Sequence, residues 1–212
     1  MIDDRIPVFP LGLVLLPRMP LPLHIFEERY RMLVSRCIEN ETEFGIVLHT
    51  GSTVQTTGCL ARIESVINRY DDGRMDILTT GTERFEVLLM HEELPYLEAS
   101  VRRYHDISAD DGAVSALALH AIATLQEFAD VAGYELDGEM LSGLSHEDLS
   151  FLLATTDVFS MEDKQYLLEL RNTGARLERT ITVLRESTSR REMAKKIQQI
   201  IGRTEDINHL FN

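Results

Sequence analysis

The sequence has few of the residues that carry redox or membrane functions. Its 212 residues include no tryptophan and only two cysteines, Cys37 and Cys59, which have no paired spacing. We therefore expect reduced thiols in a cytoplasmic protein rather than a disulfide framework. The start, MIDDRIP, has two acids where a signal peptide needs positive charge, and the apolar run at 11–16 is too short to cross a membrane. The sequence thus predicts a cytoplasmic chain with no membrane contact.

The sequence also lacks the common catalytic motifs. It has no Gly-Lys pair for a phosphate loop, no CxxC, no HExxH and no GxSxG, and its seven histidines are scattered singly. The only lysines, Lys164, Lys195 and Lys196, fall on predicted polar helix faces, whereas a catalytic lysine needs burial to lower its pKa. We predict no catalytic, cofactor or metal residue. An unrecognised peptidase or hydrolase site stays open as an alternative.

Positive charge is missing from the middle of the chain. Residues 104–163 contain 13 acids and no lysine or arginine, and they account for most of the net charge of −14. A field of that sign repels phosphate backbones, so nucleic acid is an unfavourable partner. RNA binding remains a second alternative. From residue 164 onward the balance reverses, with 10 basic and 6 acidic residues.

What the sequence does have is a proline-rich apolar stretch at 6–30, which holds five of the six prolines. Proline has no amide donor, which excludes a central strand or a long helix there. The stretch predicts a short strand, a tethered apolar loop and a second extended piece that leads into a helix ending near Asn40. We interpret it as a seam between two parts of the protein. We expect Val8, Leu13 and Leu23 to point inward and the crest at 15–21 to be partly exposed.

The rest of the chain divides into a β-rich part and a helical part. About six short strands are predicted up to Tyr104, with a hairpin at Asp71-Asp72-Gly73. Gly51-Ser52-Thr53 is predicted to form a turn. Helices follow: an apolar stripe at 114–132 that Gly133 ends, two capping boxes at 145–148 and 160–163, a longer helix, and an amphipathic piece beyond 187–189 that Gly202 stops. We predict subdomains at 1–105 and 106–212.

Two long segments carry a family resemblance. They are PVFPLGLVLLPRMPLPLHIFEERYRMLV at 7–34 and GCLARIESVINRYDDGRMDILTTGTERFEVL at 58–88. Both resemble the N-terminal, substrate-binding domain of Lon ATP-dependent proteases, above all the small bacterial proteins that consist of that domain alone. The likeness continues to about residue 184.

The resemblance implies an α+β fold: a PUA-like bent sheet or pseudo-barrel with one early helix, followed by a helical bundle. It implies that the chain binds unfolded or degron-bearing polypeptides as an adaptor or regulator of proteolysis, with a protease or chaperone as a further partner. Complete Lon proteases add an ATPase module and a Ser-Lys peptidase domain. This sequence has neither, so the resemblance transfers no catalytic residue to it.

We predict that the loop presents its apolar side chains to the bound polypeptide, because proline lowers the cost of ordering it. The predicted groove lies between the loop and the helical part, with Phe26 and Tyr30 on its floor. The candidate residues are Leu15, Leu16, Pro17, Met19, Leu21, Phe26 and Tyr30. The alternative is that all of these belong to the core. The tail stripe, Met193, Ile197, Ile200 and Ile201, is predicted to dock on the acidic helices or to form a homodimer.

Overall fold

The described residues form six strands and six helices, in the predicted order except for a short helix at Gly138–Ser142 that was not predicted. The computed structural model describes residues 4–51, 53–107, 111–136 and 138–209. The elements are β1 Asp4–Leu11, β2 Pro20–Ile25, α1 Glu28–Asn40, β3 Phe44–Thr50, β4 Thr53–Arg69, β5 Met75–His91, β6 Leu97–Arg103, α2 Asp111–Ala132, α3 Gly138–Ser142, α4 His146–Ala154, α5 Met161–Glu169 and α6 Thr173–His209. The predicted α+β class, with one early helix and a later helical part, is confirmed.

The sheet closes on itself and leaves one strand at an edge. Its strand order is β2-β5-β4-β3-β1-β6, and β5 also pairs with β6. β5 can pair with both β2 and β6 because it is long: its first half pairs with β2 and its second half pairs with β6. The expectation that the prolines exclude a central strand is wrong for β1, which lies between β3 and β6. Its prolines fit because Pro7 is paired only with β6 and Pro10 only with β3. The predicted hairpin joins β4 to β5, where Gly73 has the positive φ of 83° that glycine adopts readily. Ser52, within the other predicted turn, lies outside the described residues.

One apolar core joins the two parts of the chain. The larger cluster of buried side chains contains Leu33 and Ile77 from the β part and Phe151 and Leu177 from the helices. A smaller cluster around Phe85 fills the closed end of the sheet. Strand gives way to helix between β6 and α2, near the predicted boundary, of which residues 108–110 lie outside the described part. The division into subdomains at 105 stays a prediction.

A buried ionic network also links the two parts. Arg84 of β5 and Arg176 of α6, which are 3% and 0% exposed, both bond the carboxylate of Asp106. The Arg176 guanidinium lies 4.2 Å from the centre of the Phe151 ring. Burial alone would raise the pKa of Asp106, but hydrogen bonds from Arg176, Thr173 and Arg84 outweigh it and hold that pKa below its usual value.

The predicted helix ends are partly right. Gly133 ends α2 with a φ of 82°, and Ser145 and Ser160 accept hydrogen bonds from the amides of Asp148 and Asp163 at the starts of α4 and α5. Only 160–163 forms the complete capping box, because the Asp148 carboxylate bonds Arg18 instead. The predicted break at 187–189 is wrong because α6 is continuous, and the Thr188 hydroxyl donates to the Leu184 carbonyl within the helix. The predicted stop at Gly202 is also wrong, since α6 runs to His209.

One helix among the described residues, Gly112–Ala132, is long and apolar enough to cross a membrane by length and composition, with a mean hydropathy of 1.2. Its inner side chains, including Ala121, Leu125 and Phe128, belong to the core. Core helices of soluble proteins meet the same criteria, so this helix is weak evidence for a membrane span. The absence of membrane contact stays a prediction.

Candidate functional site

The loop between β1 and β2 is buried at its crest, contrary to our expectation. Leu15 and Leu16 are 1% and 0% exposed, Pro17 and Leu21 are also buried, and Met19 is half-buried. Of the three residues that were expected to point inward, Val8 is fully buried, but Leu13 and Leu23 are only half-buried. The crest is therefore part of the core that joins the two parts of the chain, as the seam interpretation predicted.

Backbone contacts explain why the loop turns inward. The Arg18 amide donates to the Gly81 carbonyl at 2.9 Å, and the Gly81 amide donates to the Met19 carbonyl at 3.0 Å. A Cβ on Gly81 would lie only 2.2 Å from the Leu16 carbonyl oxygen, so glycine permits this close approach. Arg18, the exposed tip, makes a two-point ion pair with Asp148 of α4, both bonds at 3.0 Å. The loop is thus held between β5 and the helical part.

The other end of the proline-rich stretch lies at an open pocket. Phe26, in the link between β2 and α1, is 60% exposed, and Tyr30 of α1 lies beside it. The pocket has a volume of about 490 Å³. It is lined by residues of β1, β2, β3, β4, β6, α1 and the link between β2 and α1, among them Phe9, Leu11, Leu23, His24, Phe26, Arg29, Tyr30, His49, Val54 and Leu97. The groove over Phe26 and Tyr30 was predicted to lie between the loop and the helical part. That position is wrong, because every residue that lines the pocket belongs to the β part.

The pocket has an aromatic floor. The rings of Phe9 and Tyr30 stack with their centres 3.8 Å apart, and the Arg29 guanidinium lies 4.5 Å from the centre of the Tyr30 ring. Burial raises the pKa of Tyr30, so its hydroxyl stays neutral at neutral pH. Arg29 is neutralised by Glu27 at 2.8 Å. Phe9 and Tyr30 are themselves only 7% exposed and form the base of the pocket, and Phe26 adds exposed apolar surface at its mouth; with little net charge, this arrangement suits an apolar side chain of a ligand.

A hydrogen-bonded cluster fixes the rim. His24 Nδ1 lies 2.6 Å from an Asp76 carboxylate oxygen, and the Tyr70 hydroxyl and the Asn68 amide donate to the same carboxylate at 2.7 and 3.1 Å. These bonds, that of His24 first, lower the pKa of Asp76 to about 2. The His24 ring stacks near Phe26, with 5.9 Å between the ring centres. The cluster therefore orients the side chains at the mouth of the pocket.

The second concavity is larger than the aromatic pocket and has more charged residues in its lining. It has a volume of about 1140 Å³ and lies between β1, α1 and β4. Its most buried charged group is already paired: Glu98, whose side chain is 8% exposed, bonds both Arg5 and Arg36. Among the described residues no group of three or more His, Cys, Asp or Glu side chains is arranged to hold a metal ion. The aromatic pocket is the better candidate for a binding site.

Comparison with known proteins agrees with the resemblance noted in the sequence. The family described as the ATP-dependent protease La (LON) substrate-binding domain matches residues 5–186. The chain belongs to this family. The Lon proteases of Anaeromyxobacter dehalogenans and Syntrophobacter fumaroxidans (Lon protease 2) are 25% and 23% identical to it over 92% and 93% of its length. The chain spans about a quarter of those relatives, 25% and 26% of their lengths.

Two solved structures of the Lon family share the fold. The Lon N-terminal domain protein of Xanthomonas campestris superposes with a TM-score of 0.66 at 24% identity and covers 84% of this chain and 98% of its own. The N-terminal domain of a Mycobacterium avium complex Lon protease superposes with a TM-score of 0.67 at 17% identity and covers 85% and 98%. At these identities the likeness supports the fold alone.

Sequence reasoning found two of the pocket residues, Phe26 and Tyr30, and missed the others. Phe9, His24 and Leu97 come from three strands, and only the closed sheet brings them together. The pair of His24 and Asp76 depends on the register between β2 and β5, in which the two residues face each other. The alternation in PLPLHI was the available signal, since it marks an edge strand that places His24 on its outer face.

Proposed function

We propose that this protein binds unfolded or degron-bearing polypeptides without cleaving them, and that the aromatic pocket is the binding site. The observation that carries the proposal is the large exposed Phe26 beside the stacked pair of Phe9 and Tyr30. Membership of the LON substrate-binding family supports the same class of ligand. The role that follows is that of an adaptor or regulator of protein quality control in the cytoplasm, with a protease or chaperone as the recipient.

A matched pair of variants tests the pocket. Leu89 of β5 is 59% exposed, almost as much as Phe26, but it does not line the pocket. Binding of fluorescein-labelled β-casein, measured by polarisation, is expected to weaken about thirtyfold or more in Phe26→Asp and to stay within about twofold in Leu89→Asp, because removing an aromatic anchor that binding buries costs at least about 2 kcal/mol. Equal affinities for the two variants would contradict the proposal.

The non-catalytic part of the proposal has its own test. β-casein incubated with the purified protein is expected to remain intact by mass spectrometry, with and without ATP. Fragments that accumulate with time and disappear when the protein is omitted would contradict it and revive the peptidase alternative.

A homodimer through the tail remains a proposal, and one observation favours it. Met193 and Ile197 are 60% and 49% exposed on the same side of α6, near its last contact with α2, where Lys195 donates to the Val131 carbonyl. An isolated helix as short as the end of α6 beyond Lys195 is only marginally stable in water, so packing against a second copy would stabilise it. Light scattering of the full chain is expected to give twice the mass of one copy, and Ile197→Asp is expected to halve it. A monomeric full chain would contradict the dimer.

A further inference from the structure

Strand β2 has one unpaired edge beside the pocket. It pairs with β5 from Pro20 to Ile25 without interruption, and no described strand lies on its other side. An exposed edge normally presents alternating N–H and C=O groups that another chain can bond. The sequence PLPLHI changes what this edge offers, because Pro20 and Pro22 have no N–H group.

The positions of the prolines show which way the backbone of β2 faces. In an antiparallel pair, alternate residues direct both backbone groups toward the partner strand and the others direct them away. Pro20 and Pro22 fit an uninterrupted ladder only at the positions that face away from β5. The Met19 carbonyl, one residue earlier, accepts from Gly81 of β5, which agrees with this assignment. His24 follows at the same alternate spacing, so its N–H and C=O groups face the free edge.

His24 also lines the pocket, together with its neighbours Leu23 and Ile25. On the opposite wall the last part of β1 has a second open edge, because β6 pairs with β1 only from Asp4 to Val8 whereas residues 9–11 also line the pocket. The His24 imidazole is already bonded to Asp76. That bond uses Nδ1 and fixes the ring, so the backbone groups of His24, together with its Nε2 atom, are the polar groups that the residue can offer a ligand.

We propose that the pocket binds a short, proline-free, extended segment of polypeptide by strand addition, with its backbone paired to the N–H and C=O groups of His24. An apolar side chain of that segment enters the pocket over Phe9 and Tyr30. Pro20 and Pro22 offer acceptors only, which limits full pairing to the His24 end and prevents longer edge-to-edge association. This inference rests on the proposed polypeptide binding and specifies its geometry.

Two substitutions at one position separate the backbone from the side chain. His24→Ala and His24→Pro both remove the imidazole, but only His24→Pro removes the N–H group, at a spacing where β2 already tolerates proline. The probe is a short fluorescein-labelled peptide that alternates leucine or phenylalanine with threonine. Its dissociation constant is expected to be about threefold to tenfold higher for His24→Pro than for His24→Ala, the effect of one hydrogen bond. Equal constants in two folded variants would overturn strand addition.

A second measurement uses the unaltered protein, so it holds even if His24→Pro does not fold. Peptides that carry one N-methyl group at successive amides are expected to lose affinity at alternate positions, because only alternate amides of an added strand face β2. Equal losses at all positions, no losses, or no binding of the parent peptide would overturn the proposal. If labelled β-casein still binds and Phe26→Asp weakens it, polypeptide binding stands without strand addition. If neither probe binds, both proposals fall.

Discussion

Two neighbouring parts of one apolar stretch differ in burial: one is in the core and the other is exposed. The loop crest at 15–17 is buried between the sheet and the helical part, whereas Phe26, in the link between β2 and α1, is exposed at an open pocket. The two parts have similar hydrophobicity, so composition does not decide between them. Neighbouring elements do: β5 bonds the loop, and Leu15 and Leu16 join the core cluster shared with the helices, while no described element covers Phe26. One hydrophobic proline-rich segment thus holds core residues and, next to them, the exposed side chain that we propose as part of the binding surface.

The largest expected effect comes from breaking the network that holds the helical part over the loop. Asp106→Asn removes the shared carboxylate of Arg84 and Arg176 and leaves two buried cations without it, which is expected to lower the free energy of unfolding by about 3–5 kcal/mol. Urea denaturation measures the loss. The matched control is Asp72→Asn, whose partner Arg74 is at the exposed hairpin; a loss as large in the control would contradict the account.

Asp106 should also make the stability of the protein depend on pH. The pKa of Asp106 is lowered in the folded protein, so its stabilisation is present above the unfolded value of about 3.9 and is lost as pH falls through the lower folded value. The unfolding free energy of the native sequence is therefore expected to fall more steeply from about pH 5 to pH 2 than that of Asp106→Asn. Parallel curves from urea titrations at each pH would be inconsistent with a lowered pKa.

Next in size is the direct comparison of the two parts. Leu16→Ala is expected to cost about 2–5 kcal/mol of stability because it leaves a cavity in the core. Phe26→Ala is expected to change stability by less than about 0.5 kcal/mol, since most of its surface is already in water. Chemical denaturation of both variants checks the difference. If Phe26→Ala were the more destabilising, the assignment of core and surface would be reversed.

A smaller effect is expected where the loop meets β5. Gly81→Ala would bring a methyl group against the Leu16 carbonyl and is expected to destabilise by about 1–3 kcal/mol through overpacking. Gly12→Ala is the control, because a Cβ there has no neighbour within 4 Å among the described residues. Thermal unfolding of the two variants should differ clearly. Equal melting temperatures would show that the loop is not held tightly against β5.

The smallest effect is expected at the tip of the loop. Arg18→Ala removes the ion pair with Asp148, in which Arg18 is largely exposed, and is expected to cost less than about 1 kcal/mol. The loss should shrink further in high salt because exposed charges are screened. A cost above that of Gly81→Ala would mean that the ion pair, rather than packing, holds the loop in place.

Local patterns predicted much of the fold. Helix α1, the hairpin at Gly73, the end of α2 at Gly133 and the caps at Ser145 and Ser160 all depend on short-range chemistry and agree with the structure. The continuity of α6 was missed because hydroxyl residues favour helix ends in isolation, yet Thr188 bonds back to its own helix.

The site was harder to predict because its residues are distant in sequence. Leu15 and Leu16 were expected to be partly exposed since nothing local shows that they join the core shared with the helices, and Arg18 pairs with Asp148 at a separation of 130 positions. Phe26 and Tyr30 could be named from the same stretch, but their partners Phe9 and Leu97 required the closed sheet. Side-chain pairing across strands is the information that the sequence alone does not supply.

Hydrogen–deuterium exchange with and without saturating β-casein tests the central claim most directly. If the polypeptide binds at the pocket, we expect new amide protection at residues 23–30 on binding and no change at 13–19, where the loop is already covered in the free protein. Protection that appears at 13–19 and is absent at 23–30 would contradict it, because the polypeptide would then bind at the loop after the helical part had moved away.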